Sequence, residues 1–209
     1  MRLFVALEVP EVVREALSEW GRLAAGVCGG GAVGASGDAG AGARRAVRPV
    51  PAGSLHVTLC FLGDTAAERV GEIAAACEVA RGFRVGELQV GASLWLPRRR
   101  PRVLAVELED PDGRLAVLQA ELSRALAAIG AFEPDARPFL AHVTVARVRR
   151  GDGVRRGDGV RGGGGVWPPD LTDPPPVSFV AERLVLYRSS LGAGPARYDA
   201  LHDVQLSRR

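Results

Sequence analysis

The sequence predicts an α+β fold built from two similar lobes, and three observations lead to this prediction. Strand-like and helix-like segments alternate along the chain, with comparable content in its two halves. A short motif, His-Val-Thr, occurs once in each half. The 209 residues are 47% hydrophobic and 24% charged, an ordinary globular composition that can bury a core. We therefore expect one bilobal domain over residues 1–209, with its lobes meeting at a cleft.

The N-terminal half predicts two strands, each followed by a helix. Residues 2–8 are an apolar run typical of a buried strand, and the helix after Pro10 repeats apolar residues at helical spacing. Residues 55–62 predict the second strand. Thr65 and Glu68 stand at the spacing of a capping box and predict the start of the second helix.

The C-terminal half predicts several strands around one long helix, whose leucines recur on a single stripe. A basic turn rich in proline separates the first two of these strands. In chain order, the predicted segments are the strand 83–90, the turn 97–102, the strand 103–108, the helix 113–129, and the strands 139–148, 178–188 and 197–206.

Two Gly-rich segments, at about residues 26–46 and 149–176, are predicted to be flexible insertions. Both contain too little apolar bulk to offset the entropy of an ordered chain. The second contains two identical Arg-Arg-Gly-Asp-Gly-Val hexads, which indicate a repetitive spacer that the chemistry does not require.

Composition excludes some classes of protein and permits others. The formal net charge is +3 and every basic residue is arginine, whose planar fork of donors suits phosphate, so an anionic ligand is permitted but not required. Cys28, Cys60 and Cys77 lack CxxC spacing, so neither a zinc site nor a disulfide framework is indicated. No apolar run reaches the ~18 residues of a membrane span, and the first residues do not resemble a signal peptide. We expect a cytoplasmic protein without a membrane partner.

Two His-x-Thr motifs are the strongest functional signal in the chain. They are His56-Val57-Thr58 and His142-Val143-Thr144, and the chain has only three histidines. In a strand, residues i and i+2 share a face, so each motif presents an imidazole and a hydroxyl on one side and valine on the other. An unsatisfied buried polar group costs about 1–3 kcal/mol. We therefore expect both polar faces to line one shared, hydrated cleft.

Two imidazoles and two hydroxyls suit displacement at phosphorus. A neutral histidine can take a proton from the nucleophile while a protonated one gives a proton to the leaving oxygen. Threonine hydroxyls can hold the non-bridging oxygens as charge develops. A single His-x-Thr would usually be structural, and two histidines alone would leave a zinc ion short of ligands.

Three further residues could contact the substrate, and the third histidine is expected to lie outside the site. Arg147 could clamp a phosphate, and Phe4 and Tyr187 could stack on a base, with core packing or a surface salt bridge as the open alternative for each. His202 lacks a threonine at i+2 and is expected on the surface of the last strand without a catalytic role.

At these motifs the sequence resembles the two-histidine phosphoesterase superfamily, and within it the bacterial and archaeal RNA 2′,3′-cyclic phosphodiesterases, also called 2′-5′ RNA ligases or LigT-like proteins. The resemblance runs nearly end to end. Besides the two motifs, it includes the opening Arg2-Leu3-Phe4-Val5-Ala6-Leu7, the segment Leu59-Cys60-Phe61-Leu62-Gly63, the segment Val145-Ala146-Arg147, and the closing Leu184-Val185-Leu186-Tyr187-Arg188-Ser189.

The resemblance implies a bilobal α+β fold with a pseudo-twofold axis. Each lobe would be an antiparallel sheet with helices outside, and both motifs would line the catalytic cleft between the lobes. It also implies a metal-independent enzyme without a nucleotide cofactor. Relatives often have a basic residue and a proline where this chain has Leu140 and Ala141.

The resemblance also implies roles for the motif residues. His56 would be the proton donor and His142 the proton acceptor, with Thr58 and Thr144 beside the phosphate. The reaction would open the 2′,3′-cyclic phosphate at an RNA 3′ end to leave a 2′-phosphate, and its reverse with an RNA 5′-hydroxyl would form a 2′-5′ linkage. A small nucleotide cyclic phosphate, a 2′-5′ oligonucleotide, or RNA-end binding without turnover remain open alternatives. The sequence indicates no obligate protein partner.

Overall fold

A computed structural model of the protein describes residues 1–28, 47–98, 100–148, 171–190 and 196–207. These residues form three α-helices, nine strands and three short 3-10 turns, at Ala52–Ser54, Ala67–Arg69 and Glu78–Ala80. The helices are α1 (Glu11–Cys28), α2 (Val70–Cys77) and α3 (Arg114–Ala128). The strands are β1 (Arg2–Glu8), β2 (Val47–Pro49), β3 (His56–Asp64), β4 (Leu88–Leu96), β5 (Val103–Glu109), β6 (His142–Val148), β7 (Ser178–Phe179), β8 (Arg183–Ser190) and β9 (Arg197–Gln205).

One antiparallel sheet contains all of the described strands, in the order β7-β4-β5-β6-β3-β1-β8-β9. The short strand β2 lies outside this path and pairs with the end of β6. The sheet divides into two four-stranded halves that meet where Val57 of β3 pairs with Val143 of β6. The predicted α+β fold with two similar lobes is confirmed, and the lobes are the two halves of this sheet.

The core lies between one face of the sheet and the helices. Strand β1 shows the alternation that builds it, because Leu3, Val5 and Leu7 are fully buried within the main apolar cluster. Leu118 and Leu122 of α3 belong to the same cluster. The opposite face of β1 and β3 is free to carry polar groups.

Each long helix packs against the motif strand of the other half. Helix α1 follows β1, yet it lies against β6 and β2, where Gly21 contacts Val145. Helix α3 follows β5, yet it lies against β3, where Gln119 Nε2 donates to the Leu59 carbonyl oxygen at 3.4 Å. The two halves are therefore interlocked through their helices.

Gly21 allows the close approach of α1 to β6. A Cβ atom at this position would stand 3.0 Å from the Val145 carbonyl oxygen and 3.1 Å from its Cβ. Real Cβ atoms seldom come this close to a backbone oxygen, so a side chain here would push the helix away from the strand.

The predicted capping box before α2 was wrong. The residue before the 3-10 turn Ala67–Arg69 is Ala66, and no side chain caps that turn. Thr65 instead donates through its hydroxyl to the Gly63 carbonyl at 3.4 Å, while its backbone N–H donates to the Met1 carbonyl at 2.8 Å. Thr65 therefore ties β3 back to the start of the chain rather than opening a helix.

Three predicted strands have different bounds. The strand predicted at 83–90 begins only at Leu88, because Phe83 binds Ser207 at the far end of the chain through its carbonyl oxygen. The strand predicted from 139 begins at His142. The strand predicted at 178–188 is two strands, β7 and β8, separated by residues 180–182.

The two predicted insertions fall largely outside the described residues. Helix α1 extends to Cys28, so residues 26–28 are helical and not part of a loop. Residues 29–46 and 149–170 lie outside the described part of the chain. Residues 171–176 have no regular secondary structure, and Trp20 Nε1 donates to the carbonyl oxygen of Thr172 at 3.1 Å.

Within the described ranges, no helix is long and apolar enough to cross a membrane.

Candidate active site

The two motif histidines hold their imidazoles in the same way. His56 begins β3, and its Nδ1 donates to the carbonyl oxygen of Ser54 at 2.8 Å. His142 begins β6, and its Nδ1 donates to the carbonyl oxygen of Leu140 at 2.8 Å. Because a carbonyl oxygen can only accept, Nδ1 carries the proton in each ring. The Nε2 atom of each histidine is therefore the one left to take or give a proton.

The pairing of Val57 with Val143 brings the two motifs side by side. Both valines are fully buried, so the flanking histidines and threonines lie on the opposite face. In an antiparallel pair this register sets His56 against Thr144 and Thr58 against His142. The histidines are then diagonal neighbours, whose Cα atoms stand about 7–8 Å apart. This spacing leaves room for a phosphate between the two imidazoles.

A cavity of about 450 Å³ opens in front of β3. Its size is in the range of small-molecule sites. His56 and Thr58 form part of its wall, whereas His142 and Thr144 lie beside it on β6 and do not line it. The cavity thus offers space for a ligand that reaches the motif pair from the side of β3.

The lining of this cavity is cationic. Among the described residues it includes Arg2, Arg48 and Arg147, and no aspartate or glutamate. Arg48 and Arg147 face each other in the pairing of β2 with β6. Within the described part of the chain neither makes an ion pair, so both guanidinium groups are available for an anion.

Aromatic rings surround His56. The Phe4 ring lies 4.8 Å from the imidazole between centroids, and Tyr198 meets the imidazole edge-on at 5.1 Å. Tyr187 stacks on Phe4 at 5.2 Å and stands behind it, outside the cavity wall. These rings shield the imidazole from water on several sides.

This environment changes the acidity of His56. Burial lowers its pKa from 6.5 to about 4, and the positive charges of Arg147 and His142 act in the same direction, while the hydrogen bond to Ser54 opposes the shift. In the protein without bound anion His56 is therefore neutral at pH 7.

The structure brings most of the residues predicted from the sequence into one region. The two histidines and two threonines adjoin each other, and Phe4 and Arg147 line the cavity. Tyr187 contacts the site only through Phe4 and a longer approach to His56, with 6.3 Å between ring centroids.

His202 lies away from the motif pair. It belongs to β9, as expected, but it is only half exposed, and its Nε2 forms a 2.8 Å hydrogen bond with Glu78 Oε1. His202 therefore lies on the last strand, as predicted, but it is partly buried and hydrogen-bonded rather than simply exposed.

The sequence patterns did not indicate Arg48 and Tyr198. Arg48 stands in a strand of three residues, and Tyr198 comes from the last hairpin, so only long-range pairing brings them to the cavity.

Known proteins resemble this chain in sequence. A family model described as LigT like Phosphoesterase matches residues 39–105, which include the first motif. The RNA 2′,3′-cyclic phosphodiesterase of Escherichia coli K12 is 29% identical over 205 residues, covering 96% of this chain and 93% of that protein. The protein of the same name from Archaeoglobus fulgidus is 31% identical over 153 residues, covering 72% of this chain and 74% of that protein.

Solved structures share the fold. The crystal structure of E. coli LigT complexed with 3′-AMP has a TM-score of 0.69 and 26% identity, over 99% of this chain and 98% of that one. A protein from Thermus thermophilus has a TM-score of 0.72 at 24% identity, over the full length of both chains, and shows the fold alone. With 31% identity to an RNA 2′,3′-cyclic phosphodiesterase across about three quarters of that protein, the chain belongs to the family of LigT-like phosphoesterases.

Proposed function

We propose that the protein hydrolyses the 2′,3′-cyclic phosphate at RNA 3′ ends to a 2′-phosphomonoester, without a metal ion. The observation that carries this proposal is the pair of His-x-Thr motifs joined at Val57 and Val143, with both Nε2 atoms free to exchange protons. The names of the relatives support the substrate, and the 3′-AMP bound to E. coli LigT supports a nucleotide at this cavity.

In this reaction the cyclic phosphate lies between the two imidazoles. His142 Nε2 takes a proton from water, whose oxygen attacks phosphorus, and the bond from phosphorus to O3′ breaks. His56 Nε2 gives its proton to O3′, so the phosphate remains on O2′. The hydroxyls of Thr58 and Thr144 and the guanidinium of Arg147 hold the non-bridging oxygens as their charge grows.

The proposed role of His56 as the acid depends on the substrate. Its pKa of about 4 in the free protein would leave too little of the protonated form at pH 7. The negative charge of a bound phosphate favours the imidazolium and offsets the repulsion from Arg147. With substrate bound, His56 therefore takes from solvent the proton that it later gives to O3′.

The same groups can also join two RNA ends. With an RNA 5′-hydroxyl in place of water, His142 would activate that hydroxyl and the product would be a 2′-5′ phosphodiester. After one turnover the proton has moved from His56 to His142, so each cycle ends with proton exchange with solvent.

A second candidate is hydrolysis of a small nucleotide cyclic phosphate. The aromatic rings of Phe4 and Tyr198 beside His56 favour it, because they can hold the base of a single nucleotide without a further length of chain. Parallel turnover of an RNA oligomer and of a nucleoside 2′,3′-cyclic phosphate separates the two candidates.

The test of the proposed function is incubation with an RNA oligomer that ends in a 2′,3′-cyclic phosphate, in the presence of EDTA. Phosphorus NMR then reads the position of the product phosphate. A 2′-phosphate formed by the wild type and by His202→Ala, and not by His56→Ala, is the expected result. A 3′-phosphate, or turnover that stops with EDTA, would contradict the proposal.

A further inference from the structure

We propose that the outer end of the cavity is a second nucleotide subsite. There Arg2 and Ser189 hold the phosphodiester on the 5′ side of the terminal nucleotide, and Phe61 stacks on the base of the nucleotide before it. This inference rests on the proposed function, because it places the terminal nucleotide beside His56. It assigns the substrate class as an RNA chain end rather than a free mononucleotide.

The two subsites lie near opposite ends of strand β1. Ala6 pairs with Thr58, beside the motif pair, whereas Arg2 pairs with Asp64 and with Ser189. Arg2 and Phe4 line the cavity, and Ala6 shares their face of the strand because alternate residues point to the same side. Four residues of strand span about 13 Å. Arg2 therefore lies at the opposite end of the cavity from the reacting phosphate.

The reacting phosphate already has a cation of its own. Arg147 lies close enough to His56 for its charge to lower the pKa of that residue, and Arg48 is its partner across the β2–β6 pair. A single cyclic phosphate carries one negative charge, so a third arginine in the same cavity is in excess. A second phosphate of the same chain accounts for it.

Phe61 is the only exposed aromatic ring among the described residues, with 51% of its surface accessible. The Arg2 guanidinium carbon lies over this ring, 5.3 Å from its centroid. Stacking on the ring holds the guanidinium in place and leaves its N–H edge free for phosphate oxygens. Asp64 is the nearest acidic neighbour by register, and it makes no ion pair with Arg2.

Ser189 completes the subsite from β8. It stands opposite Arg2 in the β1–β8 pairing, and it lines the cavity with a hydroxyl that can donate to a phosphate oxygen. A cation, a hydroxyl and an exposed ring are the parts with which proteins follow a single strand, since every base has a face that can stack.

Three substrates distinguish the contribution of the extra phosphate from that of the extra base. They are a nucleoside 2′,3′-cyclic phosphate, the same compound with a 5′-phosphate, and a dinucleotide ending in a cyclic phosphate. Arg2→Gln is expected to lower kcat/KM about tenfold for the two substrates that carry the extra phosphate. For the plain nucleoside cyclic phosphate we expect a change of less than about twofold.

Phe61→Leu tests the base. It is expected to lower kcat/KM about tenfold for the dinucleotide, the usual worth of one stacked base, and by a smaller factor for the 5′-phosphorylated nucleotide, because the ring also holds the Arg2 guanidinium. Arg22→Gln, on the exposed side of α1, removes the same charge far from the cavity and is the matched control. In Arg2→Gln, the slope of log kcat/KM for the dinucleotide against log salt should become shallower by about 0.7.

Two results would overturn the subsite. One is an equal loss on all three substrates in Arg2→Gln, since that residue would then act on the reacting centre or on the fold. The other is no loss on any of them.

A wild type that hydrolyses none of the three substrates would overturn the proposed function and not the subsite. Isothermal titration calorimetry would then test the subsite, by comparing the affinity for a dinucleotide 2′-phosphate with the affinity for a nucleoside 2′-phosphate. A selective loss of affinity for the dinucleotide in Arg2→Gln supports the subsite, and equal affinities in the wild type overturn it.

Discussion

Val57 and Val143 face each other across the single pair that joins β3 to β6, and neither exposes any surface to solvent. The two side chains belong to the core, while the residues that flank them form the active face. In each half, the buried valine thus fixes the position of the histidine and the threonine, which lie on the opposite face of the strand. The apolar and the catalytic parts of the His-Val-Thr motif are two faces of one strand.

Removing this anchor should loosen the site and the fold together. We expect Val143→Ala to lower the free energy of unfolding by about 2 kcal/mol, since it leaves a void at the junction of the halves. Val12→Ala is the matched control, because Val12 of α1 is 77% exposed. Urea denaturation measures both, and equal midpoints would show that the junction is not a packed contact.

The two motif histidines, as the proposed acid and base, should behave as one unit. Either His56→Ala or His142→Ala is expected to lower kcat about 10²–10⁴-fold, the usual contribution of an acid or a base. The double variant should be little slower than the slower single variant, because both act in one step. His202→Ala serves as the control for loss of an imidazole. Losses that multiply in the double variant would indicate two independent sites.

Stability should fall in mild acid because of His56. Its native pKa of about 4 lies below the value of about 6.5 for an unfolded histidine. Between these values the unfolded state binds more protons, so the free energy of unfolding decreases as the pH falls from about 6.5 to about 4. His56→Gln should flatten this part of the profile. Equal slopes in His56→Gln and the wild type would show that His56 is not shielded from water.

Arg147 should act on both the substrate and His56. Arg147→Gln is expected to lower kcat/KM about 10- to 100-fold, since one charge-assisted contact with phosphate is lost. It should also raise the pKa of His56 in the free protein, because the charge of Arg147 lowers that pKa. NMR titration of the imidazole measures the second effect. The control is Arg188→Gln, whose guanidinium is paired with Asp199. A drop in kcat/KM without a rise in the His56 pKa would place Arg147 farther from the imidazole.

The contact of α1 with β6 can be tested at two glycines of the same helix. Gly21→Ala should destabilise the protein by about 1–3 kcal/mol, because the new Cβ meets the Val145 backbone. Gly26→Ala should stabilise it by about 0.5–1 kcal/mol, since a Cβ there meets no atom within 4 Å and alanine favours a helix. Thermal unfolding of the pair measures the difference, and the same sign in both variants would contradict the close approach.

The sequence predicted the parts of the structure that depend on short-range patterns. Strand β1, the motif strands and helix α3 follow from apolar alternation or helical spacing, because burial of one face imposes that period. The motif histidines could be identified for the same reason, since a polar residue on a strand of otherwise buried type requires an explanation.

Other features depend on contacts that no local pattern records. Strand β2 is three residues long and exists because it pairs with the end of β6. Arg48 and Tyr198 reach the cavity only through the order of the strands. Thr65 matched a capping motif, but its backbone N–H is bound to Met1, and this long-range bond prevails over the local preference.

The exchange of helices between the halves has a consequence for how the molecule could be divided. A fragment that ends after α2 would carry His56 on a strand whose supporting helix, α3, is in the other fragment, and the remaining fragment would lack α1 beneath His142. Each piece alone would expose the apolar back of its own histidine strand to water. Complementation by mixing would therefore restore both strands at once, because each fragment carries the helix that supports the histidine strand of the other.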